Sequence, residues 1–218
     1  MPHHELMPHR ERPATTVYLV RHGSVVGAET RRFIGHLDVP LSPLGERQIA
    51  AVAEHLSATA LDAVYSSDLV RTRRSAAIIA EPHGLVPIER SALREFAMGR
   101  WEGLTGEEIR ALDADAHSMW MADVAGYQFP DGENLAQLSA RAWPAFEEIV
   151  EAHPGGALAI VAHGGTNRVL LCRALGVAPE RILALGQDYA ALSVLVWSRD
   201  RFTLARLNDQ VALTGTGG

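Results

Sequence analysis

Two apolar runs in this chain stop on the same pair of residues. One reads Val17-Tyr18-Leu19-Val20-Arg21-His22-Gly23, the other Leu158-Ala159-Ile160-Val161-Ala162-His163-Gly164-Gly165. A histidine alone in a loop reads as a simple hydrogen-bonding residue. At the end of Leu-Val-Arg-His-Gly it reads as a nucleophile, because an imidazole held through one ring nitrogen presents the other. A neighbouring cation such as Arg21 disfavours the imidazolium and keeps that nitrogen free near neutral pH. A phosphate dianion, and the more charged state reached during its transfer, wants planar bidentate donors. Arg21 stands beside His22, and Arg71 lies just inside the helical pattern that follows Ser66-Ser67, where an anion is favoured anyway. An ester oxygen leaving phosphorus needs a proton, and Glu95, polar after an apolar run and ahead of a glycine turn, is the carboxyl for it. Glu102 is its rival and reads first as a structural partner of that turn.

These residues need a frame that brings them to one place. Short apolar runs bounded by turn residues predict strands at Thr16–Val20, Ala63–Ser66, Leu85–Glu89, Ala157–Ala162, Leu192–Trp197 and Thr203–Arg206. Ser42 caps a helix with Pro43 in its first turn and Ile49, Val52, Ala53 and Leu56 on its inner stripe. Asp68 is expected to cap a second helix running to Ala80. A third covers Asn134 to Ala152, and a fourth starts near Gly165. Strands alternating with helices imply an α/β three-layer sandwich: a mostly parallel central sheet with helices on both faces. Ligands of such sheets bind outside the carboxyl ends of the strands, so both imidazoles arrive at one rim, where the glycines let backbone N–H groups approach a ligand. Residues 15–210 form one domain. The stretch 101–131 breaks the rhythm and reads as an inserted, cap-like segment. Its Met119, Trp120, Tyr127 and Phe129 are either core and lid residues or a wall against a substrate. Residues 1–14 are expected to be a disordered or extended tail and 211–218 a flexible one.

Composition narrows the field. The chain has 218 residues, 47% apolar and 21% charged, which is ordinary for a globular protein. All 20 basic residues are arginine, so a Walker loop lacks its lysine and Schiff-base chemistry its amine. A net charge of −6 disfavours nucleic acid as a partner. Cys172 is alone, so no intramolecular disulfide forms, and a cytoplasmic location is the expectation. No apolar window is long enough for a bilayer, and the first residues lack the core of a signal peptide. Ten histidines invite a metal, His3, His4 and His9 among them, but no His-Glu-x-x-His or comparable ligand spacing occurs. No metal or cofactor is expected.

Six motifs in order then carry a resemblance. They are Leu19-Val20-Arg21-His22-Gly23; Gly35-His36-Leu37-Asp38-Val39-Pro40-Leu41-Ser42 with Leu44-Gly45; Ser66-Ser67-Asp68-Leu69-Val70-Arg71-Thr72; Leu93-Arg94-Glu95 with Gly99-Arg100-Trp101-Glu102-Gly103; Pro130-Asp131-Gly132-Glu133-Asn134; and Val161-Ala162-His163-Gly164-Gly165. From Thr16 to Asn208 the chain resembles the histidine phosphatase superfamily, the phosphoglycerate-mutase-like fold, in its phosphatase branch. The resemblance implies a phosphohistidine at His22. Arg21, Arg71, His163 and the Gly164 backbone N–H would clamp the phosphoryl group, with Ser24 a further phosphate ligand. Glu95 would protonate the leaving oxygen and then activate water. Val25 and Ala28 stand where the cofactor-dependent mutases carry Ser and Asn, which favours hydrolysis over mutase chemistry. The segment Gln187–Val194 is similar to α-ribazole-5′-phosphate phosphatases. The implied substrate is a small phosphate ester, with a phosphoglycerate mutase and a non-catalytic phosphoryl-binding module as the alternatives. Arg31 and Arg32 could hold a second anionic group or be a solvated pair, and a homodimer is left open.

Overall fold

The computed structural model describes residues 13–198 and 200–212. Six strands form one sheet: β1 (Thr15–Arg21), β2 (Ala63–Ser66), β3 (Ile88–Glu89), β4 (Ala157–Ala162), β5 (Leu192–Ser198) and β6 (Arg201–Asp209), in the order β3-β2-β4-β1-β5-β6. The first four are parallel, and β5 and β6 are antiparallel additions at one side. β4 shows why the apolar runs are continuous rather than alternating. Leu158, Ile160 and Ala162 face one core, and Ala159 and Val161 face the other.

Helices cover both faces. α1 (Pro43–Leu56) and α2 (Val70–Ala80) pack on the side of Val20, Val64 and Val161. α5 (Leu135–Glu151) and α6 (Gly164–Leu175) pack on the other, through Leu138, Phe146, Ile149 and Leu170. The expected cap holds for α1, where Ser42 Oγ accepts from Gly45 N; α5 is opened by a reciprocal capping box of Asn134 and Gln137. At α2 the expectation fails. Asp68 gives both carboxylate oxygens to Arg94, at 2.7 Å each, and the first helical N–H, that of Val70, is taken by Asp38 from a distant loop. The strand expected over Leu85–Glu89 shrinks to Ile88–Glu89, because Pro87 has no N–H to offer an edge ladder.

The stretch 101–131 holds α3 (Gly106–Leu112) and α4 (Ala114–Ala122), with its own small core of Trp101, Ile109, Tyr127 and Phe129. Of the expected tails, residues 1–12 and 213–218 lie outside the described residues, as do His3, His4 and His9; Val211 packs half-buried against the α1–α2 core. Among the described residues no helix is long and apolar enough to cross a membrane.

Candidate active site

Strand register brings the two histidines together. Arg21 pairs with Ala162 in the parallel β1–β4 ladder, so the next residues, His22 and His163, leave the sheet side by side. Their ring centroids are 5.1 Å apart, edge to face. β2 adds Ser67 by the same logic, since Ser66 pairs with Val161.

Each imidazole has its tautomer set by its partners. His22 Nδ1 lies 2.8 Å from the Gly23 carbonyl, which can only accept, so Nδ1 holds the proton and Nε2 keeps its lone pair. His163 is wired the other way. Its Nδ1 accepts from Arg71 Nε at 3.3 Å, so Nε2 carries the proton and donates to Ser67 Oγ at 2.8 Å. Thr72 Oγ1 donates onward to the Leu69 carbonyl, which leaves it to accept from Ser67 Oγ at 2.6 Å. Burial pushes both histidines well below their ordinary value of 6.5; next come the charges of Arg21 and Arg71 on His22, and of Arg71 on His163. Both rings are neutral at neutral pH.

Arg71 is 1% exposed, a guanidinium held deep in the fold. Nη1 donates to the Leu37 carbonyl and Nη2 to that of Gly35, each at 2.7 Å, which fixes the plane and leaves donor capacity on both atoms. Arg21 donates Nη1 to the Gln187 carbonyl and lies 3.9 Å over the Tyr189 ring. Its Nε is buried with no partner, an orphan donor of the kind an oxyanion satisfies. Glu95 reaches across to the start of α6. Its Oε2 accepts from Gly165 N at 2.9 Å, and its Oε1 from Phe96 N and Thr166 N. A Cβ on Gly165 would collide with Glu95 Oε1, so this glycine exists to admit the carboxylate.

Arg21, His22, Arg71 and Glu95 line one cavity of about 240 Å³, with Tyr189, Phe33, Ile34, Gly35, Met98, Arg31 and Arg32 completing its wall. His163 is fully buried and meets this wall through Arg71. Two further expected ligands are not on the wall. Gly164 opens α6 near Arg21, with a Cβ there only 3.4 Å from Cζ. Ser24 is buried, and its backbone is engaged: its N–H goes to Gln48 Oε1 and its carbonyl accepts from Ser42. Beside it the chain packs tightly on the start of α1, where a Cβ on Gly23 would strike the Gly45 carbonyl and one on Gly45 the Ser24 carbonyl. Gly23 therefore serves helix packing rather than ligand approach. Glu102 is structural, as first read, with Oε1 accepting from His36 N and Met98 N.

Several supports escaped the sequence. Arg141 on α5 donates to the carbonyls of Ala92, Arg94 and Glu95, and is itself gripped by Glu133. His36 Nε2 holds the Glu95 carbonyl from the opposite side at 2.8 Å. The signal for Arg141 was present: it stands directly before Ala142 on an otherwise apolar stripe and is largely buried. Met119, Trp120, Tyr127 and Phe129 do not line the cavity. Trp120, Tyr127 and Phe129 act at one remove, since Phe33 and Met98, which do line it, pack on their aromatic core, whereas Met119 is exposed and outside that core. No cluster of three or more His, Cys, Asp or Glu stands together as a metal site among the described residues.

The family model for the histidine phosphatase superfamily, branch 1, matches residues 17–210. The chain belongs to the histidine phosphatase superfamily. It is 32% identical over 190 residues to phosphoserine phosphatase 1 of Hydrogenobacter thermophilus, covering 87% of this chain and 90% of that one. It is 34% identical over 171 residues to the probable phosphoglycerate mutase GpmB of Yersinia enterocolitica, covering 78% and 80%. Among solved structures, a mycobacterial glucosyl-3-phosphoglycerate phosphatase, bound to VO3, superposes with a TM-score of 0.80 at 32% identity, over 88% of this chain and 98% of that one.

Proposed function

We propose that this member of the superfamily hydrolyses small phosphate monoesters through a phosphohistidine at His22. The observation that carries this reading is the neutral His22 ring, its Nδ1 tied to Gly23, in a cavity shared with Arg21, Arg71 and Glu95. Nε2 attacks phosphorus as the ester P–O bond breaks. Arg21 and Arg71 meet the phosphoryl oxygens and supply the positive charge that the transferring group needs. His163 orients Arg71 from behind. Glu95 gives the leaving oxygen a proton from Oε2, the oxygen with a single N–H partner and therefore with room for one. The resulting carboxylate then takes a proton from water, whose oxygen displaces the histidine from phosphorus. Inorganic phosphate leaves, and the electron pair returns to Nε2.

Hydrolysis of an aryl phosphate by His22→Ala tests the proposal. A loss of at least about a thousandfold is expected, together with acid-labile phosphate trapped on the parent protein during turnover. Activity within tenfold of the parent would end the reading. The relatives' names include two phosphatases and a probable mutase, and the mutase is the second reading. Interconversion of 2- and 3-phosphoglycerate with the bisphosphate present, at a rate above hydrolysis, would favour it. The Gln187–Val194 segment, similar to ribazole phosphatases, has a different account here. Gln187 and Tyr189 hold Arg21, so the segment builds the phosphoryl end of the site and says nothing of the leaving group. A panel of phosphate esters, ribazole phosphate included, ranked by kcat/KM, would assign the substrate.

A further inference from the structure

The two adjacent arginines of the cavity wall differ in what they are free to do. Arg32 is fully engaged: Nη1 donates to the Gly103 carbonyl and to Glu108 Oε2, each at 2.6 Å, and Nη2 to Glu108 Oε1. It ties the loop after β1 to the capping box of α3. Arg31 makes no side-chain hydrogen bond or ion pair among the described residues. It is exposed, and it stands on the ridge between the 240 Å³ cavity and a second cleft of about 420 Å³ lined by Glu29, Glu107, Arg110 and His117. Its backbone has φ +52°, in the left-handed region, where it closes the short 3-10 turn Ala28–Thr30 by donating its N–H to the Ala28 carbonyl. Glycine adopts that conformation without strain, so Arg31→Gly is tolerated by the backbone.

The position of that side chain states its use. Arg21 and Arg71 share the cavity with His22, and the exposed Arg31 lines the same cavity together with Phe33 and Ile34. An unpaired guanidinium there faces whatever the phosphate is esterified to. We infer that Arg31 forms a subsite for a second anionic group on the leaving portion of the substrate, a carboxylate or a further phosphate, and so selects for doubly anionic esters. The inference rests on the hydrolase reading above and adds to it a preference that the phosphoryl pocket alone does not create.

Two pairs of esters read it out: 3-phosphoglycerate against glycerol 3-phosphate, which differ by a carboxylate, and the bisphosphate against the monophosphate of propane-1,3-diol. The parent protein should favour the first member of at least one pair, and which pair identifies the anion. In Arg31→Gly that kcat/KM ratio should fall about tenfold, equivalent to ~1.4 kcal/mol. Arg31→Lys, which keeps the charge, should retain most of it. The melting temperature of Arg31→Gly should not fall, because glycine suits the backbone; a merely structural arginine would lower it instead. A parent protein that hydrolyses both members of each pair equally, or ratios unchanged in Arg31→Gly, would overturn the subsite while leaving the hydrolase reading intact. Failure of the parent to hydrolyse any ester, the aryl phosphate included, would remove both.

Discussion

The phosphoryl end and the leaving-group end of the cavity are built on different physics. At the first, His22, His163 and Arg71 are buried, and each holds at least one hydrogen bond to a fixed partner. Strand register and three carbonyls, those of Gly23, Gly35 and Leu37, set their geometry before any ligand arrives, which is what electrostatic preorganisation requires. At the second, Arg31 is exposed and has no side-chain partner among the described residues, and Phe33 and Met98 rest on the aromatic core of residues 101–129 rather than on the sheet. On the proposed reading, the chemistry falls to side chains held by buried hydrogen bonds and the choice of substrate to an exposed one.

Four experiments would sharpen or break that division. The largest effect is expected for Arg71→Ala, which should lower kcat/KM at least about a thousandfold for every ester, with no change in their ranking. A change in ranking would show that the two ends are not separable. Glu95→Gln should cost about a hundredfold or more on alkyl esters and under tenfold on an aryl phosphate, whose leaving group needs no proton. Equal losses on both would remove Glu95 as the acid. Ser67→Ala should reduce kcat about tenfold by freeing the His163 tautomer, and it should shift the acid limb of the pH profile. An unshifted profile would reduce Ser67 to a packing residue. Met98→Ala should give the smallest change, a KM effect of a few-fold that differs from ester to ester.

The histidines also set a pH dependence with a definite sign. Their folded-state values lie well below 6.5, so as pH drops under about 6.5 the unfolded chain takes up protons that the folded protein refuses. Stability is full above that pH and is lost on acidification, by up to about 1.4 kcal/mol per pH unit for each ring until its folded value is reached. The salt-bridged carboxylates of Asp68 and Glu133, held below their usual range, extend the loss at lower pH. Denaturant unfolding at pH 7, 6 and 5 should show the decline. The acid limb of kcat/KM should likewise lie below 6.5, since His22 stays neutral there. A plateau in stability down to pH 5 would contradict the neutral rings.

Much of this molecule is written locally. The apolar runs at Val17 and Leu158 specify buried strands, the Ser42-Pro43 pattern specifies a helix start, and a His after each run specifies what the rim carries. Those features depend on neighbours a few residues away, so the chain alone determined them. The partner of a charged group does not: Asp68 had the right spacing to cap α2, yet Arg94 takes it and Asp38 supplies the cap. Ser24 had the right place in its loop, yet it does not line the cavity, and its backbone is packed against the start of α1. Nothing in the pair Arg31-Arg32 distinguishes its members until Glu108 arrives from a helix 76 residues away and leaves one guanidinium free. Competition among equivalent polar groups is decided by which of them packing brings within 3 Å, and only the tertiary structure holds that distance.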